Sequence, residues 1–439
     1  MVTTKKKTPY KRIDVIEVYI WNKFVGAVAL DPQYGYYAFS YDDKFKRGSI
    51  DLSPLKMPVA GPEDVHLFTD LPEATYKRLP ALLADSLPDD FGNALINRYM
   101  ADHGIPDDHI TTLDRLAYMG KRAMGALEFK PQTGPRSTKH VAIEISKLVQ
   151  EARNAINGSV TDDEHANAAL RSIIEVGTSA GGARAKAVIA WNPTTHEIRS
   201  GHADVDEGFS HWLLKFDGMD DNRTLTGTQN YGRIEYAYHL MAIDAGMTMS
   251  ECRLMEENGR AHFMTRRFDR DIGNIKHHMQ TLCGMAHVDY KKKSTNSYSQ
   301  LFMTIQALKL PRADLVEAFR RMVFNVMSKN CDDHSKNFSF LLKQGAAWEL
   351  APAYDLTYSY NPKSEWVFQH LMSVNGKFGE FTVEDLYADA DRFGIGEIKS
   401  IIRTTRDVLA QWTDYAQKAG ITSEGDIQLI KQNLWLPVV

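Results

Sequence analysis

The run Asn330-Cys331-Asp332-Asp333-His334-Ser335-Lys336-Asn337, followed by Ala353-Tyr354-Asp355-Leu356, constrains this chain more than any other stretch. It sets a carboxylate at Asp332, an amide five residues on at Asn337, and a second carboxylate eighteen residues later at Asp355. The three have a joint chemistry only if the fold makes them converge. One carboxylate could then take or orient a proton, while the amide oxygen and the other carboxylate hold a hard divalent cation. A D-x-x-x-x-N pair arises by chance about once in a chain this long, so the pattern needs partners elsewhere.

D-x-x-x-x-N followed by a second Asp is the spacing used by protein kinases. Phosphoryl transfer needs the phosphates held, their charge neutralised and the acceptor hydroxyl aligned. Parts for each task occur upstream, in the order a kinase uses them. Thr178-Ser179-Ala180-Gly181-Gly182-Ala183-Arg184-Ala185-Lys186 is small enough for backbone N–H groups to approach a phosphate. It lacks the GxxxxGK[ST] pattern, and taken alone it reads more simply as a turn between helix and strand. Lys215 ends the apolar strand His211-Trp212-Leu213-Leu214-Lys215-Phe216, where a buried amine needs a partner; the alternative is an edge-strand lysine facing solvent. Glu235, on a helix expected over Arg233–Ala245, suits that partnership, although helices also carry many surface glutamates.

His262 to Arg270 reads as a hinge strand. Backbone groups from Arg266 through Arg267 to Phe268 could meet a base edge, and Phe268 could wall the pocket. The alternative is an ordinary strand with a solvated basic end. At the opening stretch, Asp332 would accept or orient the hydroxyl proton, and Asn337 and Asp355 would hold magnesium. Lys336 could neutralise γ-phosphate charge, and His334 could contact the nucleotide or orient the loop.

Composition narrows the classes further. With 439 residues, 43% hydrophobic, the chain can build a sizeable core in two or three parts. A net charge of -4 argues against a generally basic nucleic-acid binder. Three dispersed cysteines, Cys252, Cys283 and Cys331, fit neither a disulfide framework nor a zinc ribbon, and suit a reducing cytoplasm. No apolar run reaches membrane-spanning length, so no membrane association is expected. His277, His278 and His287 lack metal-ligand spacing and read as surface histidines. G-T-S-A-G around Ser179 matches a hydrolase elbow only formally, since here a helix precedes and a strand follows.

Along the chain, residues 1–11 read as a basic flexible tail. Residues 12–135 form a β/α module: a meander over Val15–Trp21, Phe24–Leu30 and Tyr34–Phe39, helices over Leu79–Leu87, Phe91–Tyr99 and Asp107–Tyr118, and a strand over Met124–Phe129. Residues 136–270 hold a helix over Asp162–Ile174, the glycine loop and the hinge. Residues 271–439 are mostly helical, with helices over Tyr298–Leu308, Asp314–Ser328 and within Val383–Leu434.

With these segments in view, the chain resembles HipA, the serine/threonine kinase toxin of bacterial HipBA toxin–antitoxin modules. The likeness is carried by Ser179-Ala180-Gly181-Gly182-Ala183-Arg184-Ala185-Lys186, Arg267-Phe268-Asp269-Arg270, Asp332-Asp333-His334-Ser335-Lys336-Asn337-Phe338-Ser339 and Pro352-Ala353-Tyr354-Asp355. Asp85-Ser86-Leu87-Pro88-Asp89, Tyr118-Met119-Gly120 and Met124-Gly125-Ala126 match as well. The resemblance implies an α+β, two-lobed protein-kinase-like fold with a small β/α N-terminal subdomain and a mostly helical C-terminal lobe. It also implies ATP and magnesium as cofactors, and phosphorylation of an aminoacyl-tRNA synthetase that halts translation and promotes dormancy. The expected partner is a HipB-like helix-turn-helix antitoxin, with DNA met only through it.

Carried over by position, Asp332 is the catalytic base, and Asn337 and Asp355 hold the metal. Lys215, the backbone of Gly181, Gly182, Ala183, Arg184, Ala185 and Lys186, and Arg266, Arg267 and Phe268 contact ATP, with His334, Lys336 and Tyr354 beside it. Ser179, or else Thr178, takes the place of the family's inhibitory autophosphorylation site. The departures are Cys331 and Asp333 around the catalytic position, Arg266 where the hinge usually has Glu, and Arg184-Ala185 where Gln-Glu is common. An extra carboxylate at Asp333 could alter metal binding or substrate choice. Two other classes remain: a small-molecule phosphotransferase of the aminoglycoside or choline kinase kind, and a non-catalytic repressor partner. The first typically carries a His before the Asp, whereas His334 follows it; intact Asp332, Asn337 and Asp355 speak against the second.

Overall fold

The computed structural model describes residues 10–88, 90–135, 185–217 and 230–438. The glycine-rich stretch from Thr178 to Arg184, with Ser179, and the helix expected over Asp162–Ile174 lie outside those residues.

The N-terminal region is a four-stranded antiparallel sheet in the order Tyr37–Tyr41, Lys23–Leu30, Val15–Ile20, Leu127–Lys130. Period-2 alternation fixes its faces: Ile16, Val18 and Ile20 are fully buried while Val15 is exposed. The third strand begins at Tyr37 rather than Tyr34. The Asp31 carboxylate accepts the N–H groups of Gln33 and Tyr34, and Gly35 takes φ +69, so these residues form a turn. The helix expected from Asp107 splits for a related reason. A 3-10 turn covers Asp107–His109, and the α-helix starts at Thr112 because Thr111 and Asp114 form a capping box.

The next unit is a five-stranded sheet in the order Ile198–Ser200, Lys186–Trp191, Ser210–Lys215, Arg260–Arg266, Cys252–Glu257. The strand that ends in Lys215 is central, which rules out the solvent-facing edge lysine. The helix Tyr231–Asp244 lies against this sheet at very close range: a Cβ on Gly232 would come within 2.1 Å of the Ala261 carbonyl oxygen. The C-terminal half packs Tyr298–Ala307 and Arg312–Ser328 with four tail helices, Val383–Arg392, Ile398–Leu409, Trp412–Lys418 and Glu424–Asn433. A small sheet, His278–Thr281, Ser339–Leu342 and Trp348–Leu350, sits beneath the site. Two apolar cores result. One joins the N-terminal region to the five-stranded sheet, and the other joins Tyr231–Asp244 to the C-terminal helices.

Past Arg266, whose side chain is partly exposed, the basic end of the hinge strand is buried rather than solvated. Arg267 donates twice to Asp269, at 2.9 and 2.7 Å, and Arg270 donates to Asp269 Oδ2 at 2.8 Å. Asp269 also accepts the Gly125 N–H at 2.7 Å, and Arg270 donates to the Gly125 and Ala123 carbonyls. This cluster ties the N-terminal region to the end of the five-stranded sheet. Burial by itself would raise the Asp269 carboxyl, but the two guanidinium groups outweigh it and hold it far below the usual range. Gly125 is required there: its φ is +80, and a Cβ would lie 2.9 Å from the Met279 backbone nitrogen. His277 and His278 are also buried, contrary to the surface reading, and His278 packs edge-on against Trp348. Their strand passes under the N-terminal region, which the sequence spacing could not show. Asp269→Ala leaves two buried arginines without their shared carboxylate and should cost about 3–5 kcal/mol in urea unfolding.

Candidate active site

The two lobes bring the residues of the opening stretch to one cleft. It is lined by Lys215, Arg266, Arg267, Phe268, Asp332, His334, Lys336, Asn337, Tyr354 and Asp355. Strand alternation explains the upper wall. Leu213 and Lys215 share a face, and Leu213 pairs with Thr265 on the next strand, so all three reach the cleft.

Lys215 is the centre of charge. Its ammonium lies 2.5 Å from Glu235 Oε1 and in contact with Asp355 Oδ1. The close seat of Gly232 on the sheet lets the helix present Glu235 to Lys215 one turn later. Lys186 is the direct cross-strand partner of Lys215, and it is also buried. Burial alone would lower the Lys215 amine, but Asp355 and Glu235 together raise it, so it stays charged. The Asp355 carboxyl would likewise rise on burial, yet Lys215 and Lys186 hold it well below the usual carboxylate range. Asp355 adopts φ +58, a left-handed conformation that Asp tolerates better than most residues.

Asp332 and Asn337 are joined by a short turn. Asn337 Nδ2 donates to the Asp332 carbonyl at 2.7 Å, across the 3-10 turn Ser335–Asn337. That leaves the Asn337 amide oxygen and the second Asp355 oxygen as hard donors facing one cleft. Two such ligands suit magnesium, which completes its shell with water and phosphate oxygens. Burial raises the Asp332 carboxyl above its ordinary value, and Asp355 adds to this, while His334 and the Trp366 N–H pull it back. His334 Nε2 stands 3.8 Å from Asp332 Oδ1, and its ring lies 5.3 Å from that of Tyr290. Lys336 lies over the Tyr290 ring. Tyr354 donates to the Lys336 carbonyl at 2.6 Å and packs its ring 5.7 Å from Phe268.

The hinge differs in detail from the sequence expectation. The N–H of Arg266 donates to the Glu251 carbonyl and that of Arg267 to His211, so these two donors are spent within the sheet. The Arg267 side chain belongs to the Asp269 cluster. Ala185 and Lys186 lie at the start of a central strand, while Gly181, Gly182, Ala183 and Arg184 lie outside the described residues.

Sequence reasoning gave no role to the N-terminal residues Asp85, Leu87 and Met124, yet they line the same cleft. Asp85 accepts the N–H and hydroxyl of Thr281 at 2.6 and 2.8 Å, fixing the cleft floor. Their segments stood out only as parts of the resemblance. Trp366 was also missed: its indole N–H donates to Asp332 Oδ1 at 2.9 Å from an irregular stretch that carries no period.

Asp333 turns away from the cleft, so the expectation that it alters metal binding gives way to a structural role. Buried, it accepts the Tyr298 hydroxyl at 2.7 Å, His370 Nδ1 at 2.8 Å and the Leu371 N–H at 2.8 Å. Burial would lower the His370 imidazole, but Asp333 outweighs it and raises it to about 10. A folded-state value above the ordinary one gives stability that is complete below about pH 6.5 and is lost as pH rises through about 10. Urea unfolding should therefore show a decline across that window in the native protein, and His370→Gln should remove that part of the slope.

Comparisons with known proteins agree with this architecture. The family profile of the HipA-like C-terminal domain matches residues 178–412, and that of the HipA N-terminal domain matches residues 16–130. A Haemophilus influenzae protein described as a "Putative kinase" is 26% identical over 159 residues, 31% of this chain; the match spans under half, 46%, of that relative. HipA of the Shewanella oneidensis MR-1 toxin–antitoxin system, solved with HipB and its operator DNA, superposes with a TM-score of 0.66. It covers 95% of each chain at 16% identity, a likeness of fold.

Proposed function

The chain belongs to the HipA-like family, and from that premise we propose that it is an ATP- and magnesium-dependent protein serine/threonine kinase acting as a HipA-type toxin. The observation that carries this reading is the joining of buried Glu235 and Lys215 with half-buried Asp355 in one ion cluster, with Lys215 and Asp355 lining the cleft that also holds Asp332 and Asn337. A strand lysine paired to a helix glutamate, facing a D-x-x-x-x-N loop and a later Asp, is the arrangement that kinases require.

The roles follow from the donors. Lys215 holds phosphate oxygens and keeps its charge because two carboxylates flank it. Phe268 and Tyr354 form an aromatic wall for the base, and with the Arg266 and Arg267 N–H groups engaged, the Phe268 backbone is the part of the hinge that would meet its edge. Asn337 and Asp355 would hold magnesium, which supplies charge neutralisation on the phosphates. Asp332 orients the acceptor hydroxyl and takes its proton as the γ-phosphoryl group moves from ATP to that oxygen. Lys336 and His334 stand beside the transferred group.

The substrate in this reading is a translation component such as an aminoacyl-tRNA synthetase, and the regulatory partner is a HipB-like antitoxin, both in the cytoplasm. Ser179 in the glycine-rich stretch is the inhibitory autophosphorylation site, with Thr178 as the second choice. A phosphate there adds about two negative charges where ATP phosphates must sit.

Incubation of the purified protein with γ-labelled ATP and magnesium, alone and with lysate, should label a synthetase-sized protein. Asp332→Asn should reduce transfer at least about 100-fold. Label confined to a small molecule would favour a small-molecule phosphotransferase instead. Ser179→Ala should abolish self-labelling, and persistent labelling would move the site to Thr178 or elsewhere.

A further inference from the structure

The contact between Trp366 and Asp332 has no place in the roles just assigned. We infer that Trp366 is a positioning residue for Asp332, fixing the rotation of its carboxylate so that Oδ2 meets the acceptor hydroxyl. This inference rests on the kinase reading and specifies how its base is held.

Among the described residues, two groups approach the Asp332 carboxylate within 4 Å, and both come to the same oxygen. Trp366 Nε1 donates to Oδ1 at 2.9 Å, and His334 Nε2 lies 3.8 Å from it. Among the described residues none bonds Oδ2. A carboxylate left free would present either oxygen, or neither, to an incoming hydroxyl. One fixed donor removes that freedom, and an indole N–H does so without adding a charge or a competing acceptor.

The donor itself is held. Ser364 Oγ accepts the N–H groups of Trp366 and Val367 at 3.1 and 3.2 Å, and Asn361 N–H donates to the Val367 carbonyl. Lys293 donates to the Glu365 carbonyl at 2.8 Å, and its ammonium sits 5.3 Å from the centre of the Trp366 ring. At the far end of the segment, His370 and the Leu371 N–H are fastened to Asp333. At the near end, Ser359 Oγ accepts the Asp332 backbone N–H at 2.9 Å. Residues 359–371 thus grip Asp332 by its backbone, its side chain and its neighbour. Trp366 is not among the residues lining the nucleotide cleft, so its effect should fall on transfer and not on ATP binding.

Trp366→Phe keeps an aromatic side chain beside Lys293 and removes the indole N–H with the smaller ring that carries it. Phosphoryl transfer should lose about tenfold or more in kcat, with the KM for ATP within about twofold and the thermal unfolding midpoint unchanged. Unchanged kcat would overturn the inference. So would a fall in kcat accompanied by a higher KM for ATP or a lower midpoint, since those mark a structural role. The contact has a readout independent of activity. The Trp366 indole signal in a 1H–15N spectrum, identified by its loss in Trp366→Phe, should move on Asp332→Asn; a signal that stays in place would overturn the contact whatever the activity. No transfer by the unaltered protein is a separate failure, of the kinase reading, and it takes this inference with it.

Discussion

The structure depends on one buried ammonium group. Lys215 ends a central strand, where an unpaired charge would be intolerable, and it is made tolerable by Glu235 from a helix and Asp355 from the opposite lobe. The three residues come from parts of the chain up to 140 positions apart. Their charges fix the separation of the lobes and the seat of the helix. The close approach at Gly232 makes that seat possible, and the left-handed backbone at Asp355 turns its carboxylate toward the lysine. Asp355 contacts Lys215 directly. Under the proposed function, nucleotide phosphate and magnesium would divide the same two charges between them.

A second constraint sits beside the first. Adjacent residues Asp332 and Asp333 face opposite ways, one into the cleft and one into the protein. Asp333 fastens a tyrosine, a histidine and a backbone N–H, and so anchors the segment that reaches over to hold Asp332. A carboxylate expected to alter metal binding or substrate choice is instead the anchor of the segment that contacts Asp332. The N-terminal region adds a third tie, through the Arg267-Asp269-Arg270 cluster and through Asp85 on Thr281.

Much of this was legible in the sequence, and the reason differs from part to part. The convergence of Lys215, Asp332, Asn337 and Asp355 on one cleft, with Glu235 paired to Lys215, was legible because their spacing and order follow the pattern of protein kinases. The strand around Ile16 was legible from its β-branched and aromatic residues, and that around Leu213 as a short apolar run. Trp366 and Asp85 were not, because each acts across a long loop or between domains, where no local period exists. The buried state of Arg267, Asp269 and Arg270 was hidden for another reason: a basic run reads as solvated until its carboxylate and the glycine at 125 are seen to meet. His278 was misplaced because burial of a histidine follows from what packs over its strand, here Trp348, and not from neighbours in sequence.

The most direct test of the account is a crystal structure with magnesium and a non-hydrolysable ATP analogue. The account predicts the metal bound by Asn337 and Asp355, with Lys215 still paired to Glu235 but released from Asp355 to a phosphate oxygen. A nucleotide bound away from Lys215, or a metal that leaves the Lys215–Asp355 contact intact and ignores Asn337, would contradict it.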